Sequence, residues 1–307
     1  MKLWKKWAGL TALLVVGAAI ALAGREPSPP DSILFEPDVT YREVDGETLR
    51  LDFARPKEGD GPFPVVVCIH GGGWRAGDKK DFREALFGLA QQGCGVVSVQ
   101  YRFAPRHPFP AQLDDVKAAV RFVRERAKPW KLDPERIAVM GGSAGAHLAL
   151  LLATTGDEDP KDAPSTAIRA AVSIAGPTDL TADFPESSRD MVADFLGRDR
   201  RADRAVQEGA SPLFHLNPGD APVLLIHGTK DELVPYDQAT RFREACEKSG
   251  VEAELVTIQG GGHGGGGDDP HAWEAVVVKS VAFLRKHLGL PPLAGFDAEG
   301  KPTAKAP

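Results

Sequence analysis

The feature that most constrains this chain is residues 141–145 (GGSAG), a G-x-S-x-G pattern between an apolar segment and a run of alanine and leucine. The order strand, tight turn, helix is the context that this pattern requires. A serine at such a turn takes a strained backbone conformation, so the positions two before and two after it must be small. The context predicts Ser143 as a nucleophile, with the amide of Ala144 directed at a substrate oxygen. The alternative is a glycine-rich loop with an incidental serine.

Strand-like and helix-like segments alternate along the chain. Short apolar, strand-like segments lie at residues 64–69, 95–99, 137–140, 168–174, 222–226 and 253–258. Helix-like segments lie between or after them at residues 81–91, 113–127, 143–154, 238–248 and 273–287. This alternation predicts one α/β domain with a mostly parallel central sheet flanked by helices.

Two further segments complete the predicted fold. Residues 39–44 and 48–54 alternate apolar and polar side chains around Asp45 and Gly46, which predicts a β-hairpin. Residues 176–217 have no strong period and carry many charges, and we therefore expect a small irregular lid there.

A glycine run follows the first strand of the predicted parallel sheet, in residues 70–74 (HGGGW). Without side chains, backbone amides can approach a developing oxyanion closely, so this run predicts an oxyanion loop. We expect His70 to anchor the loop through hydrogen bonds. Trp74 either lines the substrate pocket or packs beneath the loop.

The general base and its orienting acid should follow the nucleophile in the order serine, acid, histidine. Asp231 lies in a loop after the strand at residues 222–226, and His263 follows the next strand, so both are candidates. Glu232 is the rival acid and His271 the rival base.

A metal centre is the competing interpretation of this region. His263, Asp268, Asp269 and His271 lie close in sequence, but their spacing matches none of the usual zinc motifs. The three cysteines form no CxxC pair either. The sequence therefore predicts no metal and no cofactor.

The N-terminus has the pattern of an export signal. Three lysines precede an apolar stretch at residues 8–20, and an A-x-A pattern follows at residues 21–23. We expect a signal peptide over residues 1–23 and a periplasmic or extracellular protein. The alternative is an uncut segment that tethers the protein to a membrane.

The remaining chain divides into a linker at residues 24–34, a catalytic domain at residues 35–288 and a loose tail at residues 289–307. The formal net charge of −6 offers no basic face, so we expect no nucleic-acid partner.

At this point the motifs resemble a known family. They are HGGGW at 70–74, YRFAP at 101–105, FPA at 109–111, GGSAG at 141–145, ASP at 210–212 and HGTKDELVP at 227–235. Over roughly residues 35–288 the chain resembles the α/β-hydrolase esterases. It is most like the acetyl-ester and feruloyl-ester hydrolases of acylated plant polysaccharides, and it is similar to the hormone-sensitive-lipase group. One departure is the glycine run 264–267, where the family usually has a bulkier residue.

The resemblance implies an α/β-hydrolase fold and a Ser-His-Asp triad. The implied roles are nucleophile for Ser143, base for His263, orienting acid for Asp231, and oxyanion donors for Gly72, Gly73 and Ala144. The expected function is hydrolysis of short-chain acyl esters of a small molecule or carbohydrate through an acyl-enzyme. The alternatives are a lipase or peptidase, an acyltransferase, or a non-catalytic binding protein that kept the fold.

Overall fold

The computed structural model describes residues 27–156 and 164–303. The predicted signal peptide at residues 1–23 lies outside the described residues, so export and the membrane tether stay predictions. Within the described ranges, no helix has both the length and the apolar character needed to cross a membrane.

In the described part of the chain, eight strands form one sheet in the order β1-β2-β4-β3-β5-β6-β7-β8. They are β1 (Ile33–Val44), β2 (Glu47–Pro56), β3 (Phe63–Ile69), β4 (Gly95–Val99), β5 (Leu132–Gly142), β6 (Ala171–Ile174), β7 (Val223–Gly228) and β8 (Ala253–Ile258). Strands β3 to β8 pair in parallel, whereas β2 is antiparallel to both β1 and β4. The mostly parallel sheet predicted from the sequence is confirmed.

Helices cover both faces of the sheet. They are α1 (Arg83–Gln91), α2 (Ala111–Trp130), α3 (Ala144–Thr155), α4 (Glu186–Leu196), α5 (Arg204–Gly209), α6 (Asp237–Ser249) and α7 (Ala272–His287). One core cluster contains side chains of α2, α3 and α6, and a second contains those of α1 and α7. In β3, Val65, Val67 and Ile69 belong to the first cluster and Val66 and Cys68 to the second. Burial of both faces explains why this strand is apolar throughout.

The predicted hairpin is present between β1 and β2. Val44 pairs with Glu47, and the two residues between them, Asp45 and Gly46, have φ values of 51° and 78°. A two-residue turn with positive φ at both positions matches the right-handed twist of the strands that it joins.

The predicted lid at residues 176–217 is more regular than expected, because it contains α4 and α5. In α4 the apolar residues Met191, Val192, Phe195 and Leu196 recur at helical spacing. The charged first turn of this helix obscures that period in the sequence.

Both ends of the catalytic domain differ from the predicted boundaries. Strand β1 begins at Ile33, inside the predicted linker at residues 24–34, because Ile33 is buried in the core. In the predicted tail, Leu293 is buried, and Leu290 and Phe296 pack against the same core cluster as α7. These apolar side chains hold the described part of the tail against the domain.

Candidate active site

Ser143 stands at the sharp turn between β5 and α3. Its backbone has φ 54° and ψ −119°, a combination that residues other than glycine rarely adopt. Its amide donates to the carbonyl oxygen of Ile174 at 2.7 Å, which ties the turn to the neighbouring strand β6. The strained turn therefore projects the Ser143 side chain beyond the carboxyl edge of the sheet.

The outer glycines of the GGSAG motif are required by close backbone contacts. A Cβ on Gly141 would lie 2.3 Å from the carbonyl group of Gly145, and one on Gly145 would lie 2.0 Å from the carbonyl oxygen of Ile69. A Cβ on Gly142 would meet nothing within 4 Å. The packing thus requires small residues two before and two after Ser143, as the motif predicts.

The three residues predicted as a triad lie together at the carboxyl ends of β5, β7 and β8. His263 Nε2 is 2.8 Å from Ser143 Oγ. On the other side of the ring, His263 Nδ1 is 2.8 Å from Asp231 Oδ2 and 3.1 Å from Oδ1. The Asp231 side chain is fully buried, whereas that of His263 is 20 % exposed. A substrate can therefore reach the serine and histidine but not the carboxylate.

Asp231 is held as an ionised acceptor. Its Oδ1 accepts hydrogen bonds from the amides of Leu233 and Val234, both at 2.9 Å. His227 Nε2 lies 3.2 Å from Oδ2 and also donates to the Val234 carbonyl at 2.9 Å. Burial alone would raise the pKa of Asp231, but hydrogen bonds from His227, His263 and Val234 outweigh it and hold the pKa well below its usual range. An ionised Asp231 makes His263 Nδ1 the protonated nitrogen, which leaves Nε2 free to accept the Ser143 proton.

The rival residues lie apart from this network. Glu232 is exposed, and its backbone carbonyl accepts from Ser187 Oγ at 2.7 Å. The His271 side chain is 75 % exposed, with Nδ1 3.5 Å from Glu274. Among the residues that the structure describes, no group of three or more histidine, cysteine or acidic side chains is arranged to hold a metal ion.

The glycine loop after β3 borders the cavity in front of Ser143. Gly72 and Gly73 have φ values of 109° and 59°, and a Cβ on Gly72 would lie 2.1 Å from the Ala76 carbonyl oxygen. Neither amide donates to another group within residues 27–156 and 164–303. The amide of Ala144, as the first of α3, has no intrahelical acceptor. All three amides are therefore available to a ligand oxygen.

His70 anchors this loop from below, as predicted. The residue is fully buried, and its Nδ1–H donates to the Gly71 carbonyl at 2.8 Å. Its ring stacks on Tyr101 at 4.4 Å, and the Tyr101 hydroxyl donates to the His70 carbonyl at 3.0 Å. These contacts fix the loop against the end of β4.

Trp74 packs mainly beneath the loop, although it also borders the cavity. It is 3 % exposed, and its indole stacks on Phe195 of α4 at 4.3 Å. Its Nε1–H donates to His147 Nδ1 at 3.3 Å, and His147 Nε2–H donates to the Ala210 carbonyl at 2.7 Å. Sequence reasoning gave His147 no specific role, yet it joins the oxyanion loop, α3 and the segment before β7. Its position one helical turn after Ser143, on the same face of α3, is the sequence feature that could have indicated this role.

Burial lowers the pKa of His147 to about 4, although the hydrogen bond to Ala210 opposes the shift. In the unfolded chain the pKa of a histidine is about 6.5. Between these values the unfolded chain binds a proton that the folded protein does not, so stability falls as the pH falls through this window. From about pH 7.5 to about pH 5, His147 should account for a loss of about 2 kcal/mol in the free energy of unfolding.

Urea unfolding of the wild type and His147→Gln at both pH values tests this expectation. The variant should lose less stability than the wild type on acidification, by about 2 kcal/mol. The exposed His271→Gln serves as the control and should follow the wild type. Parallel losses in the wild type and His147→Gln would contradict the assignment.

The cavity in front of Ser143 has a volume of about 540 Å³. Its walls are mostly apolar and include Phe184, Met191, Leu233 and Trp273. Asp81 also lines it, with an exposed carboxylate that accepts from the Asp78 amide at 3.1 Å. The site thus joins a serine–histidine–aspartate network, free amides and an apolar cavity of small-molecule size.

Comparison with known families shows to which family the chain belongs. The BD-FAE family model matches residues 51–246, well over half of the chain. The chain belongs to the BD-FAE family. The matched residues contain the glycine loop, Ser143 and Asp231, but they end before His263.

Two curated relatives extend the comparison with this BD-FAE protein. LipM of Mycobacterium tuberculosis (strain ATCC 25618 / H37Rv), a probable carboxylic ester hydrolase, is 34% identical over 239 residues, covering 72% of this chain and 55% of LipM. The ethyl acetate hydrolase of Pseudomonas putida is 29% identical over 258 residues, covering 79% of this chain and 78% of that enzyme. The chain spans about half the length of LipM and of two further mycobacterial relatives, the esterases LipQ and LipC.

Solved structures share the fold. Thermogutta terrifontis esterase 2 phosphonylated by sarin aligns with a TM-score of 0.74 and 26% identity, covering 88% of this chain and 100% of that one. The same esterase with propionate bound aligns with a TM-score of 0.71 and 26% identity, covering 86% and 97%. The BD-FAE protein therefore has the α/β-hydrolase fold of these esterases.

Proposed function

We propose that this protein is a serine carboxylic-ester hydrolase with Ser143, His263 and Asp231 as its catalytic triad. The observation that carries the proposal is the continuous chain of hydrogen bonds from Ser143 Oγ through His263 to the buried Asp231 carboxylate. Ser143, at one end of these hydrogen bonds, lines a cavity that Gly72 and Gly73 also line. A nucleophile, its base, an orienting acid and oxyanion donors are the groups that acyl transfer requires. The esterase names of the relatives support the same activity.

The mechanism follows from the placement of these groups. As Ser143 Oγ attacks the ester carbonyl carbon, its proton passes to His263 Nε2, and the oxyanion accepts hydrogen bonds from the amides of Gly72, Gly73 and Ala144. His263 then returns the proton to the leaving alkoxide oxygen, and the C–O bond breaks to leave an acyl-enzyme. Water attacks this acyl-enzyme as His263 takes its proton, and the carboxylic acid leaves as Ser143 is reprotonated. Asp231 keeps the ring in one tautomer and stabilises the imidazolium.

The substrate that the site favours is a short acyl ester of a polar alcohol, such as an acetylated or feruloylated carbohydrate. The cavity is of moderate size, and the outward face of α4 carries the exposed charges of Glu186, Arg189 and Asp190 rather than an apolar trench. The Asp81 carboxylate at the cavity can accept hydrogen bonds from sugar hydroxyls. Hydrolysis of ethyl acetate and binding of propionate by the similar proteins support the preference for short acyl groups.

A series of p-nitrophenyl esters from acetyl to palmitoyl tests this proposal. We expect kcat/KM to fall steeply beyond about four to six carbons, because a chain that outgrows the cavity gains no further burial, which would contribute about 0.8 kcal/mol for each methylene. Acetylated and feruloylated sugars measured in parallel separate a carbohydrate esterase from a general one. Activity that rises toward the long chains, above their solubility limit, would indicate a lipase instead.

A further inference from the structure

The glycine run after His263 faces an aromatic ring. A Cβ on Gly265 would lie 2.4 Å from Nε1 of Trp273, which belongs to the first turn of α7. Trp273 and Gly264 both line the catalytic cavity. The indole thus occupies the space that a side chain at position 265 would fill. In this protein the bulky part of the cavity wall beside His263 therefore comes from Trp273 of α7, because the adjoining loop residue that lines the cavity, Gly264, has no side chain.

Behind this wall lies a second, much smaller cavity of about 20 Å³. It lies between α1 and α7, and Trp273 and Ile174 line both cavities. Its other walls include the apolar side chains of Ala85, Leu89 and Val281. A space of this size holds about one water molecule, so it admits no part of a substrate while the indole is in place.

We propose that Trp273 sets the length of the apolar group that the catalytic cavity accepts. The proposal rests on the proposed esterase function and names a specificity-determining residue for the same site. In the wild type the indole ends the cavity, so a longer chain meets the ring. Replacement by a small side chain joins the two cavities and opens an apolar channel between α1 and α7.

The expected effect follows from the burial of methylene groups. Each methylene that enters the joined cavity should raise kcat/KM about fourfold, which corresponds to about 0.8 kcal/mol. An acetyl ester does not reach the channel, so its kcat/KM gains nothing from the added space. The ratio of kcat/KM for hexanoyl over acetyl substrate is therefore the quantity to measure, since it cancels a general loss of activity.

The experiment compares Trp273→Ala and Trp273→Phe with the wild type on two ester series, one varying the acyl chain and one the alcohol chain. Trp273→Ala should raise the long-to-short ratio at least about tenfold in one series, which identifies the half of the substrate that faces Trp273. Trp273→Phe should stay near the wild type, because a phenyl ring still closes most of the passage. Trp273→Leu replaces Trp273→Ala if the latter does not fold.

A second substitution tests whether the added chain enters the small cavity. Ala85 is buried on α1 and lines only that cavity of the two, so Ala85→Leu in the Trp273→Ala background should refill the space and reverse the gain. Ratios within twofold of the wild type in both series, or a gain that survives Ala85→Leu, would overturn the proposal. A wild type that hydrolyses no ester would instead contradict the proposed function itself.

Discussion

Ser143→Ala is expected to lower kcat for a short acyl ester by about 10⁴-fold or more, with the fold unchanged. The side chain hydrogen-bonds to His263, and the strained backbone is held by the hydrogen bond from the Ser143 amide to the Ile174 carbonyl rather than by the hydroxyl. Removing the nucleophile leaves only the assistance that the amides and His263 give to attack by water. The measurement is kcat of the purified variant on p-nitrophenyl acetate, with circular dichroism to verify folding.

The matched control is Ser187→Ala. Ser187 is exposed on α4 and donates to the Glu232 carbonyl, away from the triad. This variant should keep kcat within about twofold of the wild type, because surface substitutions away from the site have small effects. If Ser143→Ala retained even a tenth of wild-type activity, Ser143 would not be the nucleophile.

Asp231→Asn is expected to lower kcat by about 10⁴-fold, and Glu232→Gln to change it by less than about twofold. An asparagine can still accept from the amides of Leu233 and Val234, but it cannot stabilise the imidazolium or fix the required tautomer of His263. Glu232 is exposed, so its charge is screened by solvent.

Parallel kcat measurements on the two variants decide between the adjacent acids. Asp231 and Glu232 are adjacent in the same loop, so the two variants change the same segment and can be compared on the same substrate. A severe loss in Glu232→Gln with a mild one in Asp231→Asn would transfer the role to Glu232. Thermal unfolding of both variants shows whether a loss of activity comes from a loss of structure.

The parts of the molecule that the sequence predicts well are those fixed by local chemistry. At Gly141 and Gly145 any side chain would clash with neighbouring backbone atoms, so these positions must be glycine. This requirement allows the motif to be recognised from the sequence. Asp45 and Gly46 form a turn whose positive φ values favour such residues. Ser143, Asp231 and His263 follow β5, β7 and β8, which lie in the same order in the chain and in the sheet. Because parallel strands end at one edge of a sheet, the three residues meet there.

The parts that the sequence did not predict depend on contacts between distant segments. The role of His147 depends on hydrogen bonds between its two ring nitrogens and Trp74 and Ala210, which are distant in sequence. The sequence alone does not distinguish Trp273 from other apolar residues of an amphipathic helix. Its position at the cavity depends on the space that Gly265 leaves for its ring. The packing of Leu293 in the predicted tail likewise needs the surface of α7, which no local pattern reveals.

The most direct test of the central claim is covalent labelling of the nucleophile. Diethyl p-nitrophenyl phosphate should phosphorylate the wild type, because His263, oriented by the ionised Asp231, takes the proton of Ser143 during attack on phosphorus as it does during attack on a carbonyl. Intact-mass measurement and peptide mapping should find a single diethylphosphoryl group per chain, on the peptide that contains Ser143, and none in Ser143→Ala. A label on another residue, or one that persists in Ser143→Ala, would contradict the account.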